Sequence, residues 1–172
     1  MLDDDGNVLP QGERGEVGIR TIANFNGYWN NEQSTRDAFT ADGFFRTGDI
    51  GYLDEDGYLF IVDRKKDIII RGGENISCPE VEAAAYEHDS IVELSVFGIA
   101  DDKYGEVPGI VYQTKDGVNL TEDELKAFLA PRLAPFKIPA HFWQVAESLP
   151  RLGTQKIDRV ALRREYNAKV SA

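Results

Sequence analysis

The sequence has only one cysteine, Cys78, in 172 residues. An internal disulfide is therefore impossible, and a thiolate metal cage has no second ligand. No apolar run approaches the roughly 20 residues that a membrane-spanning helix needs. The opening stretch, MLDDDGNVLPQGERGE, is acidic and lacks the basic and apolar regions of a secretory signal. These absences make a reducing, cytoplasmic setting the expectation. Cations are also short. Lys and Arg number 19 against 30 Asp and Glu, for a net charge of −11. Nucleic-acid binding, which works by replacing phosphate counterions with Lys and Arg, is not expected. The same excess of negative charge repels polyanionic small molecules at long range. A phosphate-bearing ligand would have to be held locally, by a few cations and backbone N–H groups, and Arg64-Lys65-Lys66 is the local exception. No internal repeat, low-complexity tract or long linker is present.

What is there suits a small folded protein of one domain, or of a domain with an attached subdomain. Apolar residues make up 42% of the chain, enough for a buried core. From Glu16 to Arg71 the pattern is one of strands and turns. EVGIRT alternates like a half-buried strand. IGYLDEDGYLFIVD reads as a hairpin turning at Asp56-Gly57, and Tyr28–Ala41 as a short helix plus loop. Beyond Lys66 the character changes. IIIR is a short strand, GGEN a turn, and Ser77 caps a helix from Pro79. IVELSVFGIAD, VPGIVYQTK and HFWQVAE read as strands. Thr121 and Glu124 form a capping box for a helix that Pro131 ends or kinks. LAPFKIP is a proline-flanked loop, and DRVALRREY is a final helix. Strands and helices mixed without regular βαβ alternation predict an α+β fold. The change of pattern puts a boundary near Lys66, dividing residues 1–65 from 66–172. The first part is small for an independent core, so it is expected to pack against something else.

Four short stretches contain residues that could do chemistry. Phe45-Arg46-Thr47-Gly48-Asp49 places a carboxylate at a strand, where it could accept hydrogen bonds from two adjacent ribose hydroxyls. Asp63-Arg64-Lys65-Lys66-Asp67 offers the rigid donor fork of an arginine and two point charges. Gly72-Gly73 lacks Cβ atoms, which permits close backbone approach by a ligand. In Leu149–Arg159 (LPRLGTQKIDR), Lys156 sits on a glycine-containing loop from which it could neutralise charge on a reacting phosphate. Each has a plainer reading on its own: a common turn, a solvated charged turn, a glycine turn, a surface lysine. Cys78, His88 and His141 have no matching partner pattern and read as packing or surface residues. Tyr28, Trp29 and Trp143 read as core or interface aromatics. Glu80 and Glu82, at the start of the helix, are placed to complement its dipole and read mainly as structural.

In order and spacing, FRTGD, DRKKDIIIRGGENISCPEVE and LPRLGTQKIDR resemble the C-terminal portion of the AMP-forming acyl-CoA synthetases, from Gly15 to about Tyr166. The resemblance implies a β-rich end of a large N-terminal domain (residues 1–65). A mobile, compact α+β C-terminal domain of the adenylate-forming type (residues 66–172) would follow, hinged near Lys66. It implies ATP/AMP and coenzyme A as ligands, with Asp49 and Arg64 on the nucleotide ribose. Gly73 would lie on the route of the coenzyme A thiol, and Lys156 would stabilise charge during adenylation. The reaction implied is activation of a carboxylic acid, by the wording of GGENISCPEVE a fatty or other apolar one, to an acyl-adenylate and its transfer to coenzyme A. Mg²⁺ would come mainly with ATP and an N-terminal domain that is not in this chain, so the chain alone is expected to be incomplete and inactive. With no carrier domain after Tyr166, a stand-alone ligase is expected. Two features depart from the family pattern: Gln155 stands where glycine is usual, and LAPFKIP differs from Leu-Pro-x-Tyr-x-x-Pro at Ala134 and Phe136. The second reading is a truncated, non-catalytic binding or interaction module.

Overall fold

The computed structural model describes residues 1–170. They form two compact units, Met1–Lys66 and a second from Asp67 onward.

The first unit is an antiparallel sheet in the order β1 (Gly15–Ile19), β2 (Phe45–Leu53), β3 (Leu59–Arg64), with one helix, α1 (Glu32–Ala38), before β2. Asp54 makes the β2–β3 turn. Its Oδ1 accepts the N–H groups of Asp56 and Tyr58 at 3.1 and 2.8 Å, and Gly57 supplies a φ of +85°. Asn31 caps α1, its side chain accepting the Ser34 N–H at 3.0 Å. Apolar burial here is sparse, with Leu2 and Val17 the buried hydrophobic residues among those described. Phe25, Phe39 and Phe45 cluster at ring distances of 5.2 to 5.6 Å. By contrast, four consecutive apolar residues of β3, Leu59 to Val62, are 40% to 60% exposed. Trp29, expected in a core or an interface, is 91% exposed. Because strand side chains alternate, β3 exposes apolar residues on both of its faces.

The second unit holds a mixed five-stranded sheet with helices on both faces. Strands β5 (Glu74–Ser77), β4 (Ile68–Arg71), β7 (Gly105–Thr114) and β6 (Ile91–Asp101) pair antiparallel in that order, and β8 (His141–Val145) joins β7 in parallel. The parallel pair is bridged by helix α3 (Glu122–Leu129), as a parallel connection requires. One crossover in an otherwise antiparallel sheet is the α+β arrangement. The near-continuous apolar runs of β6 and β7 arise because both faces are covered. Leu94, Val96, Ile110 and Tyr112 enter one core with α3 and α2 (Cys78–Tyr86). Phe97, Ile99, Val107 and Val111 enter the other with Leu162 and Tyr166 of α4 (Arg159–Val170). The alternation is the two-residue period of a strand.

Local chemistry sets the element ends. Ser77 caps α2 by accepting the Glu80 N–H at 3.3 Å, and the helix begins at Cys78, one residue before the expected start. Thr121 and Glu124 form both arms of a capping box, and α3 stops at Leu129, ahead of Pro131. The GGEN turn is shorter than expected. Gly72 and Gly73, at φ +57° and +93°, make a two-residue hairpin, and Glu74 and Asn75 already belong to β5. Positive φ at both central residues is the mirror-image turn that matches strand twist, which explains the glycine pair. Among the described residues no helix is long and apolar enough to cross a membrane.

Candidate functional site

In the first unit, Asp49 on β2 and Arg64 on β3 are cross-strand partners, with Arg64 Nε 2.9 Å from Asp49 Oδ1. Asp49 is half-buried and Arg64 exposed, so the pair adds well under 1 kcal/mol to stability. Its value is positional. A carboxylate has roughly four lone-pair sites and a guanidinium five N–H donors, so one mutual bond leaves both able to grip hydroxyls. The backbone ahead of Asp49 is fixed. Gly48 adopts φ +75° and donates its N–H to Glu16 Oε1 at 3.1 Å. Thr47 Oγ1 donates to the Val17 carbonyl at 2.8 Å and accepts the Asp49 N–H at 3.1 Å. An open cavity of about 380 Å³ is lined by Thr47, Gly48, Arg64, Lys65 and Lys66.

The three neighbouring cations have different surroundings. Arg64 faces Asp49. Lys65 is engaged with Asp4 at 2.8 Å and Glu16 at 3.4 Å, and the hydrogen bond to Asp4 is the main cause of its raised pKa. The Lys66 side chain has no hydrogen bond or ion pair among the described residues. Glu16, which is 5% exposed, holds this corner together by receiving Arg46 Nη1 at 3.0 Å as well as the Gly48 N–H and Lys65. Nothing in EVGIRT marks Glu16, because its partners come from residues 46, 48 and 65.

In the second unit, Lys156 lies on a closed loop between β8 and α4. An Arg151–Ile157 bridge, a Leu152 N–H to Lys156 carbonyl bond of 2.8 Å and an Asp158 N–H to Pro150 carbonyl bond of 2.7 Å shut its base. The exposed Lys156 ammonium has no partner among the described residues. At the front of the loop, buried Glu93 accepts the Leu149 N–H at 2.8 Å and pairs with Arg151. Arg151 also donates to the Gln155 carbonyl at 2.7 Å. Gln155 itself adopts φ +66°, the left-handed region that favours glycine. At the back, Arg159 is bound to Asp67 and Glu82, each at 2.8 Å. Glu82 was expected to serve the dipole of α2. Instead it turns to Arg159 and to the Val96 N–H at 2.8 Å, and its burial raises its pKa. Glu80 pairs with Lys137 at 2.6 Å.

Of the five residues singled out by sequence, the fold thus brings Asp49 and Arg64 into contact and ends the first unit at Lys66. Gly73 and Lys156 lie on separate loops of the second unit. A Cβ added at Gly73 would meet nothing within 4 Å, so its φ of +93°, not crowding, calls for glycine. Cys78 is buried in the α2 core, His88 sits edge-on to Phe128 at 4.8 Å, and His141 stacks on Trp143 at 5.6 Å. Among the described residues no group of three His, Cys, Asp or Glu is arranged to hold a metal ion.

Residues 80–156 match the family described as AMP-binding enzyme C-terminal domain. Over 167 residues the chain is 41% identical to long-chain-fatty-acid–CoA ligase FadD13 of Mycobacterium tuberculosis, covering 97% of this chain and 32% of that protein. The chain carries the C-terminal domain of the AMP-binding enzymes. The chain is also 43% identical over 160 residues to oxalate–CoA ligase of Saccharomyces cerevisiae, covering 92% of itself and 29% of that protein. Its fold matches ATP-bound MatB from Rhodopseudomonas palustris with a TM-score of 0.84 and 33% identity, over 96% of this chain and 33% of that one. It spans about a third of the length of the curated relatives it matches. The acids those relatives are named for, a long-chain fatty acid and oxalate, differ widely.

Proposed function

We propose that this chain supplies the C-terminal part of a cytoplasmic, AMP-forming acyl-CoA synthetase, working with a large N-terminal domain that carries the acid pocket. The observation that supports it most is the Asp49–Arg64 pair. Two residues expected on one ribose from separate motifs are cross-strand partners beside an open cavity. The apolar residues that β3 exposes, Leu59 to Val62, support a first unit that completes its core against another domain.

In this reading Asp49 accepts hydrogen bonds from the ribose hydroxyls of ATP and Arg64 donates to the same sugar. A carboxylate oxygen of the acid attacks the α-phosphorus, the bond to pyrophosphate breaks, and the Lys156 ammonium offsets the negative charge that builds there. Mg²⁺ travels with the ATP phosphates, and no residue of this chain is assigned to it. Reorientation at Lys66 then exchanges Lys156 for the Gly73 turn, a gating step that needs few hinge residues. The thiol of coenzyme A attacks the acyl carbon and AMP leaves. The GGENISCPEVE wording favours a fatty acid.

The test joins this chain to the preceding two-thirds of the mycobacterial relative. Acid-dependent ATP–pyrophosphate exchange and thioester formation are then measured over fatty, aromatic and dicarboxylic acids. Lys156→Ala should abolish exchange, and Asp49→Ala should raise the KM for ATP at least tenfold. A folded graft that is inactive, or one indifferent to both substitutions, would overturn the proposal and leave a non-catalytic module.

A further inference from the structure

Building on the adenylation role assigned to Lys156, we propose that Arg159 is a positioning residue. By bridging Asp67, just ahead of β4, and Glu82 of α2, it locks the Lys156 loop to both, so that these segments move as one body. The bridge is specific in geometry. Arg159 Nη1 lies 2.8 Å from Asp67 Oδ2, while Nη2 lies 2.8 and 2.9 Å from the two Glu82 oxygens. The side chains of Arg159, Asp67 and Glu82 are 28%, 18% and 16% exposed, so water competes weakly for these bonds. A planar fork can serve two carboxylates in different directions at once, whereas an ammonium is a single point charge.

The covalent path from Arg159 to Lys156 is short and stiff. Asp158 accepts the Ala161 N–H at 3.0 Å, capping α4, and gives its own N–H to the Pro150 carbonyl at 2.7 Å. Any displacement of Arg159 is therefore passed to the base of the loop. The front of the loop is held independently by Arg151 on Glu93. On the other side of the bridge, Asp67 is the residue immediately after Lys66 and the first of the second unit. Simple stabilisation does not call for this arrangement, because buried ion pairs add little over apolar packing of the same volume. What it adds is a fixed place for Lys156, where an error of about 1 Å costs on the order of 100-fold in rate.

The test compares Arg159→Lys and Asp67→Asn in the grafted enzyme described above. Two half-reactions are read separately: acid-dependent ATP–pyrophosphate exchange, and thioester formation from acyl-adenylate supplied ready-made. Each variant should slow exchange by about 10- to 100-fold while leaving thioester formation within about threefold. Equal losses in both half-reactions, or loss in neither, overturn the inference. Lys156→Ala is run alongside. If that variant keeps its exchange activity, the role of Lys156 fails, whereas intact Lys156 dependence with unaffected bridge variants sinks the bridge alone. Amide hydrogen exchange on the 172-residue chain supplies a readout free of activity. Arg159→Lys should raise exchange across residues 151–157 and leave β6 and β7 protected. Unchanged or uniformly raised exchange counts against the bridge.

Discussion

Replacing Gln155 by glycine should stabilise the second unit. Gln155 sits at φ +66°, where the Cβ of an L-residue crowds the following carbonyl at a cost of about 1–2 kcal/mol. Glycine removes that cost. It returns part of the gain by enlarging the conformational freedom of the unfolded chain, about 0.4–1 kcal/mol. Nothing else is lost. The bonds Gln155 makes are backbone ones, its N–H to the Leu152 carbonyl at 2.9 Å and its carbonyl to Arg151 at 2.7 Å. Taking the middle of each range, the net gain is about 0.8 kcal/mol, which for a unit of this size raises Tm by about 3–6 °C. Gln155→Ala is the control. It keeps the Cβ and the left-handed backbone, and should stay within about 0.5 kcal/mol of the parent. Thermal unfolding followed by near-UV circular dichroism reads the second unit through Trp143, which packs against Phe97 and Tyr166. A glycine variant melting at or below the alanine variant would show that the backbone at 155 carries no strain.

Three further outcomes are expected. Glu16→Ala leaves the half-buried Arg46 and the Gly48 N–H without their acceptor, and should cost about 3 kcal/mol. Amide exchange across β1 and β2 checks this, and a cost under 1 kcal/mol contradicts the role given to Glu16. Gly73→Ala forces a Cβ into φ +93° and should destabilise the β4–β5 hairpin by about 1–3 kcal/mol, measured by urea unfolding; an unchanged midpoint refutes it. Glu124 has its pKa lowered by hydrogen bonds from the backbone and then the side chain of Thr121. Its folded-state value therefore lies below its unfolded one. The stability it contributes is present above the ordinary glutamate range and is lost as pH falls through the lowered value. The Tm difference between parent and Glu124→Gln should therefore narrow from pH 6 to pH 3, and a constant difference removes the carboxylate from the cap.

Much of the fold could be read from sequence because its signals are local. The Ser77 cap, the Thr121–Glu124 box and the Asp54–Tyr58 turn each complete their bonds within a few residues, so the chain announces them. The α+β class followed from the irregular alternation of strands and helices. The GGEN segment misled because Glu74 and Asn75 look like turn residues, although strand pairing with β4 decides their conformation. Within the candidate site, Asp49 and Arg64 were nameable from their motifs, but their pairing needs the register of β2 on β3. Glu16 and the Asp67–Arg159–Glu82 bridge were out of reach, because a buried carboxylate is defined by partners from distant segments. Glu82 illustrates the limit. As a sequence letter it belongs to a helix start, yet its oxygens go to β6 and α4.

The 3₁₀ turn Lys65–Asp67 has a mechanical consequence. Lys65 is moored to Asp4 and Glu16 on one side, and Asp67 is moored to Arg159 on the other. Between them Lys66 has no side-chain tether among the described residues. Any motion of Lys65 is therefore shared with β1 through Glu16, and any motion of Asp67 with α4 through Arg159.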